Sequence, residues 1–342
     1  MNHIIFRCDA SHSTGSGHVI RCRTLAKELR RRGTRVVFIC KSQPGDLINL
    51  LKNDFPVLVL EENTYLQKNN DDDNNMKGRA LYKSWLGWTQ EKDAEKTLHA
   101  INKANLKDCE WIVVDHYSLD EIWEKNMIDG LKKRESQSTK LLVVDDLADR
   151  KHQADILLDQ NFFGKKTYNR YEGLIPKECN QLLGSYYALI SSEYSQIRLL
   201  IPERTKIQRV LVFFGGVDKD NLTARTVKVL MNPEFSNLSV DVILGAQSSH
   251  RKIVEKIVSK SCNATLHETL TSLAGLMARA DLAIGAAGAT TWERACLGLP
   301  SLVVAIADNQ IPFAQELDMY GYIELLGVSK QVSSNKLRDA IN

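Results

Sequence analysis

Short, nearly unbroken apolar runs recur along this chain, each followed by a segment of helical period, and that alternation limits the fold more than any other feature. Ile4–Cys8, Arg35–Cys40, Val57–Leu60, Trp111–Asp115, Leu141–Asp145 and Ile156–Leu158 read as strands. Between them lie helical patterns over 18–32, 46–53, 88–104 and 120–134. Strands that are apolar on both faces must be covered on both, which predicts a parallel sheet wrapped by helices. The repeated β-α-β order makes that sheet doubly wound.

The pattern then starts again. Arg209–Phe214, Val240–Leu244, Ala264–His267, Leu282–Gly285, Ser301–Ala305 and Ile323–Leu326 read as a second set of strands. Helical segments over 222–231, 249–260, 271–279, 290–297 and 310–320 separate them. The stretch 161–205 is less regular and is expected to hold the linker, so the domains are read as 1–195 and 196–342. The fold class is therefore α/β, with two Rossmann-like doubly wound domains. This resembles the GT-B architecture of nucleotide-sugar enzymes, whose two domains face each other across a substrate cleft. Neither half carries a nicotinamide fingerprint.

Composition narrows the partners. Apolar residues make up 43% of the 342 residues and charged residues 25%, as in ordinary globular proteins. The 45 basic residues are balanced by 42 acids, a net charge of +3, which gives no case for nucleic acid. The seven cysteines are scattered without a C-x-x-C pair, and several sit in apolar runs, which points to reduced thiols in a cytoplasmic protein. The chain enters a strand within its first few residues, which leaves no room for a signal peptide, and no apolar run is long enough to insert in a membrane. The Asn- and Asp-rich stretch Lys68–Lys77 is expected to be a flexible surface insertion rather than a metal cage.

Several turns carry chemistry. Gly15-Ser16-Gly17-His18 lies between the first strand and the first helix. Its glycines let the backbone turn tightly and approach a ligand, and the helix start offers N–H groups to phosphate. His18 is placed to act as acid or base there, or simply to hydrogen-bond a neighbour. In the second half, Gly288-Ala289-Thr290-Thr291-Trp292-Glu293 again follows a strand and opens a helix. Gly288, Thr290 and Thr291 are candidates for diphosphate. Glu293 is a candidate for a ribose diol, or else an ordinary acid favouring the helix start. Gly215 and Gly216, after Phe213-Phe214, belong either beside the diphosphate or in a tight turn with Asp220 or Asn221 as helix cap. Tyr117, in Asp115-His116-Tyr117, sits where sheet ligands bind. His116 is a second acid or base, or a structural histidine, and Asp145-Asp146 suits hydroxyl binding, capping or catalysis. Asn309 and Gln310 offer donors and acceptors to a substrate, with Asp308 or Asn309 alternatively capping the next helix. No zinc spacing or Ser-His-Asp order appears, so neither metal nor cofactor is required.

Taken together these segments resemble one family, the UDP-2,4-diacetamido-2,4,6-trideoxy-β-L-altropyranose hydrolases of pseudaminic acid biosynthesis. The resemblance rests on Arg7-Cys8-Asp9-Ala10-Ser11 with Gly15 to Ala26, on Trp85-Leu86-Gly87, Asp115 to Asp120, Asp145 to Arg150 and Leu158 to Asn161. It continues through Phe214 to Asp218, Asn221 to Thr223, Ala286 to Gly288, Thr291 to Arg294, Leu297 to Pro300 and Ala307 to Gln310. It implies a metal-independent hydrolase in which water attacks the anomeric carbon, UDP leaves and the configuration inverts. His18 matches the family's catalytic base and Glu293 its nucleotide-binding carboxylate. Tyr117 and Asn309, with Gly17 and Gln310 beside them, match the sugar site. The free sugar would feed a nonulosonate for flagellin or another surface glycan. The family often carries Arg where this chain has Ser191, which bears on substrate identity. Rival readings are a GT-B glycosyltransferase, a hydrolysing UDP-sugar 2-epimerase using Asp115 and Asp145, and a nucleotide-sugar sensor.

Overall fold

A computed structural model describes residues 3–61, 77–132, 139–245, 248–267, 270 and 272–342. The Asn- and Asp-rich stretch, apart from its last residue Lys77, lies outside them. The chain divides into two compact units between Leu189 and Ile190.

The first unit is a seven-stranded parallel sheet. Its strands are β1 (His3–Cys8), β2 (Arg35–Lys41), β3 (Val57–Leu60), β4 (Cys109–Asp115), β5 (Lys140–Val144), β6 (Ile156–Asp159) and β7 (Asn180–Leu183). Their spatial order is β3-β2-β1-β4-β5-β6-β7, so the winding reverses between β1 and β4. Alternate residues of one strand feed two cores. Ile5 of β1 and Ile112 of β4 pack with Trp123, Met127 and Leu131 on one face. Ile4, Phe6 and Cys8 pack with Val19, Cys22 and Ala26 of the helix Gly17–Arg31 on the other. That two-sided burial is why these strands are apolar throughout.

The second unit repeats the plan with six parallel strands. These are β8 (Arg209–Phe213), β9 (Ser239–Ile243), β10 (Ala264–His267), β11 (Leu282–Ala286), β12 (Ser301–Ala305) and β13 (Glu324–Val328). Their order is β10-β9-β8-β11-β12-β13, with the reversal between β8 and β11. Val210 and Val212 face one core and Leu211 the other. Among the described residues no helix is long and apolar enough to cross a membrane. All seven cysteines are free, and five of them are buried.

The structure differs from the sequence reading in the stretch expected to be irregular. Asn180–Leu183 forms the edge strand β7, whose first two residues are exposed and polar because only one side has a neighbour. Ser192–Arg198 is a helix of the second unit that packs into its core through Tyr194 and Ile197. Ser191 caps it, its Oγ accepting the Glu193 N–H at 3.4 Å. Helix Gly78–Ser84 also goes beyond the expected set. Asn221 holds the cap position of the helix Leu222–Leu230 after β8, as expected, but its side chain does not do the capping. Asn221 is left-handed, with φ of 55°, and makes no side-chain cap bond. Asp218 instead accepts the N–H groups of Leu222 and Thr223, each at 2.9 Å.

Gly285 marks how closely β8 and β11 approach at the reversal. A Cβ there would stand 2.4 Å from the Phe213 carbonyl oxygen and 2.6 Å from Arg294 Nη1. Gly285→Ala is therefore expected to destabilise the second unit by about 1–3 kcal/mol through overpacking. Urea unfolding measures it, and an unchanged midpoint would show that the strands separate there without cost.

Candidate active site

In an open α/β sheet, ligands bind beyond the carboxyl ends of the strands where the winding reverses. In the first unit that place is the end of β1 and β4. The turn after β1 reaches its positive φ, +74°, at Gly15 rather than Gly17, and a Cβ on either would meet open space. Gly17 begins the helix Gly17–Arg31, so His18 stands in its first turn.

His18 is tied to Asp115, the last residue of β4. Its Nδ1 lies 2.6 Å from Asp115 Oδ1. Arg21, one turn further on, forks onto the same carboxylate, with Nε 2.6 Å from Oδ2 and Nη2 2.7 Å from Oδ1. The Cys22 thiol adds a contact at 3.5 Å. Burial opposes charge on Asp115, but Arg21 and His18 outweigh it and hold the carboxyl well below its usual range. An ionised Asp115 favours a proton on Nδ1, and the described residues make hydrogen bonds to His18 through Nδ1 and not through Nε2. A carboxylate bonded to a histidine in this way fixes the orientation of the imidazole ring. Sequence reasoning had Asp115 only as a loose candidate for a different role.

Tyr117 lies against His18, ring edge to ring face at 4.4 Å between centroids. It is buried, and its hydroxyl donates to Asp146, which also receives Arg21 Nη1 at 2.8 Å. Burial, then the Asp146 charge, push the Tyr117 phenol well above its usual range. Helix Gly78–Ser84 fixes this residue from behind. Arg79 donates to the Tyr117 carbonyl oxygen, while Tyr82 and Trp85 pack on the Tyr117 ring. The structure thus gives Tyr117 a positioning contact to Asp146 that the sequence did not suggest.

The neighbouring acids and His116 are structural. His116 is buried; its Nε2 lies 3.4 Å from Asp9 Oδ2, and its Nδ1 accepts the Ser118 N–H. Asp9 is bound by Arg7 at 2.6 Å and by the Lys41 N–H at 2.7 Å, and Arg7 also pairs with Asp93. Asp145 is fully buried, paired with Arg150 at 2.7 Å and bonded to Tyr171.

The second unit has its own cluster at the β8–β11 reversal. Gly215, with φ of +95°, and Gly216 follow β8, and open space surrounds a Cβ on either. Gly288 follows β11 and lies near the Gln310 amide, whose Nε2 is 3.9 Å from where a Cβ would stand. Gln310 also accepts the Ile306 N–H at 3.0 Å. Asn309 occupies the cap position of the helix Gln310–Met319 but makes no side-chain cap bond. Thr290 begins the helix Thr290–Cys296, and Thr291, next in it, accepts from Arg294 Nη2 at 3.1 Å. Arg294 is buried, bonds the Ala286 carbonyl at 2.9 Å and has no partner for Nε; burial lowers its pKa to about 10. Burial likewise raises Glu293 to about 7, only partly offset by the nearby Tyr194 hydroxyl and the Arg294 charge.

Two doubly wound parallel sheets in tandem, each with its glycine-bearing turns at the point of reversal, are a GT-B-like architecture, and the comparisons agree. Arabidopsis thaliana UGT89C1 complexed with UDP-L-rhamnose superposes with a TM-score of 0.66 at 11% identity, over 98% of this chain and 88% of that one. The UDP-GlcNAc 2-epimerase of Neisseria meningitidis bound to UDP-GlcNAc does so at 0.53 and 12%, over 100% and 90%. No family model matches the chain. Among curated proteins, the chain is 25% identical to the UDP-2,4-diacetamido-2,4,6-trideoxy-β-L-altropyranose hydrolase of Campylobacter jejuni, over 93% of this chain and 97% of that protein. It is 24% identical to the uncharacterised protein MJ1062 of Methanocaldococcus jannaschii over 89% of its own length, and spans 55% of that protein.

The Asp115 network has a pH signature. The ordinary carboxyl value is 3.8, and the folded value lies below it. The contribution of the charge is therefore present above about pH 4 and lost as pH falls through the folded value. Asp115→Asn is expected to cost about 3 kcal/mol near neutral pH, because Arg21 loses the buried carboxylate it forks onto and keeps only Asp146. The gap to wild type should shrink near about pH 3 in urea unfolding. A gap independent of pH would mean the charge contributes nothing.

Proposed function

We propose that this chain hydrolyses a UDP-linked sugar of the 2,4-diacetamido-2,4,6-trideoxyhexose class. The observation that carries the reading is the Asp115–His18 pair at the β1–β4 reversal, made through Nδ1 so that Nε2 is not engaged by the described residues. In this reading Nε2 takes a proton from water as the water oxygen bonds to the anomeric carbon. The bond from that carbon to the UDP oxygen breaks, the electron pair leaves with UDP, and the configuration inverts. Asp115 holds the imidazole in the required tautomer and stabilises the imidazolium that forms. No metal takes part in the step as written.

The second unit binds the nucleotide in this reading. Gly215, Gly216, Gly288, Thr290 and Thr291 meet the diphosphate, and Glu293 the ribose diol. Asn309, Gln310, Gly17 and Tyr117 belong to the sugar side, Tyr117 through its grip on Asp146. The 25% identity to the Campylobacter jejuni hydrolase, over nearly the whole of both chains, supports the substrate class. Against an epimerase stands the state of its candidate carboxylates. Asp115 and Asp145 are both fully buried and each paired with arginine, so neither is free to work on a sugar carbon.

Incubation with UDP-sugars and no acceptor, followed by proton NMR, tests the reaction. UDP plus an inverted free sugar is the expected result. A changed C2 configuration, or turnover only when an acceptor is added, overturns it. His18→Asn is expected to lower kcat by roughly 10²–10⁴ with UDP affinity little changed. Near-normal turnover would remove His18 from the mechanism.

A further inference from the structure

The carboxylate that orients His18 is shared. Asp115 Oδ1 receives His18 Nδ1 at 2.6 Å and Arg21 Nη2 at 2.7 Å, while Arg21 Nε holds Oδ2 at 2.6 Å. The third guanidinium nitrogen, Nη1, lies 2.8 Å from Asp146 Oδ2. Every nitrogen of Arg21 is thus engaged, and its side chain is 6% exposed. A planar group pinned in this way is a charge of fixed position. Nη2 also stands 3.4 Å from His18 Nδ1, where a cation acts on protonation as well as on packing. The other groups around the pair do not take its place. On the same helix the Cys22 thiol reaches Asp115 Oδ2 at 3.5 Å, and on β1 Cys8 is the register partner of Asp115. Beyond β4, Tyr117 donates its hydroxyl to Asp146, and His116 Nε2 is turned to Asp9 at 3.4 Å. Arg21 is the one permanent cation bonded to Asp115 among the described residues.

We propose that Arg21 is a positioning residue for the base: its fork holds Asp115 ionised and in place, which keeps a proton on Nδ1 of His18 and off Nε2. The inference rests on reading His18 as the base that activates water. A buried acid that loses its counter-charge takes up a proton more readily. A histidine and a carboxylate in contact titrate as one pair, so removing the cation beside them raises the affinity of the pair for a proton. The added proton occupies Nε2, where water has to give up its own. Methionine at position 21 keeps an apolar stem and removes the charge. Lysine keeps a charge and removes the fork, because an ammonium is a point donor.

Hydrolysis of UDP-2,4-diacetamido-2,4,6-trideoxy-β-L-altropyranose by the full chain, followed across about pH 5–9, tests this with wild type, Arg21→Met, Arg21→Lys and His18→Asn. The diphosphate of this substrate is esterified at both ends and does not titrate there, so the acid limb of kcat/KM belongs to the enzyme. In Arg21→Met that limb is expected about one to three pH units above its wild-type position. In Arg21→Lys it is expected to stay near wild type, while kcat on the plateau falls about tenfold or more with KM little changed. Circular dichroism at each pH checks that the variants are folded. A fall in kcat by one factor at every pH, with the limb of Arg21→Met unmoved, is what a merely structural arginine gives, and it overturns the proposal. Should Arg21→Met fail to fold, Arg21→Lys decides: reduced kcat at unchanged KM supports the proposal, and wild-type kcat overturns it. Near-normal turnover in His18→Asn, or none in wild type, overturns the base reading and the inference with it. An unmoved limb with His18→Asn inactive overturns the role of Arg21 and leaves that reading standing.

Discussion

One buried carboxylate organises the first unit. Asp115 ends a central strand and is met by His18, Arg21 and Cys22, residues i, i+3 and i+4 of a single helix face. That spacing puts all three on one stripe. For the stripe to face the end of β4, the helix must leave β1 at one particular angle, and the Gly15 turn supplies it. The charge balance reinforces the geometry. A buried carboxylate is tolerated only with partners of good geometry, and the Arg21 fork satisfies both oxygens. Losing the fork would leave the imidazole contact to carry the whole desolvation cost. The histidine is therefore held by an ion pair that also welds the helix to the sheet.

The second unit treats charge differently. There Glu293 and Arg294 are neighbours in sequence, both inside, and both displaced toward neutrality by burial. Neither makes a geometrically closed ion pair with the other. Such a pair costs stability unless something compensates it. In the first unit Asp115 is countered by both His18 and Arg21; the second keeps a carboxylate near its titration point and a guanidinium whose Nε has no partner among the described residues.

Much of this was readable in the chain. Val57–Leu60, Ala264–His267 and Ser301–Ala305 are strands within the bounds their apolar runs suggested, and most other strands end within a residue or two of them. Such runs are legible because two-sided burial leaves no polar residue to confuse the period. The misses have the opposite character. β7 is an edge strand with Asn180 and Gln181 exposed, so its composition resembles a loop. Helix Ser192–Arg198 has one buried residue, Tyr194, and its stability comes from neighbours far along the chain. The Asp218 cap was hidden because its two N–H partners lie four and five residues away, beyond the spacing of a standard cap.

Function was less legible than fold for the same physical reason. His18 stood out because a glycine turn and a helix start frame it locally, whereas its orienter Asp115 is 97 positions away and meets it only through the pairing of Cys8 with Asp115 across β1 and β4. A strand-end Asp in isolation is ambiguous between cap, hydroxyl ligand and catalytic acid. What decides among these is the counter-charge, and that is supplied by tertiary structure. Asp115, Asp145 and Asp146 lie at the ends of neighbouring strands, yet only Asp146 keeps some of its side chain open, because Arg21 and Tyr117 bind it from one side while the others are enclosed. The sequence places acids at the right edge of the sheet; the cations around them decide which can still meet a ligand.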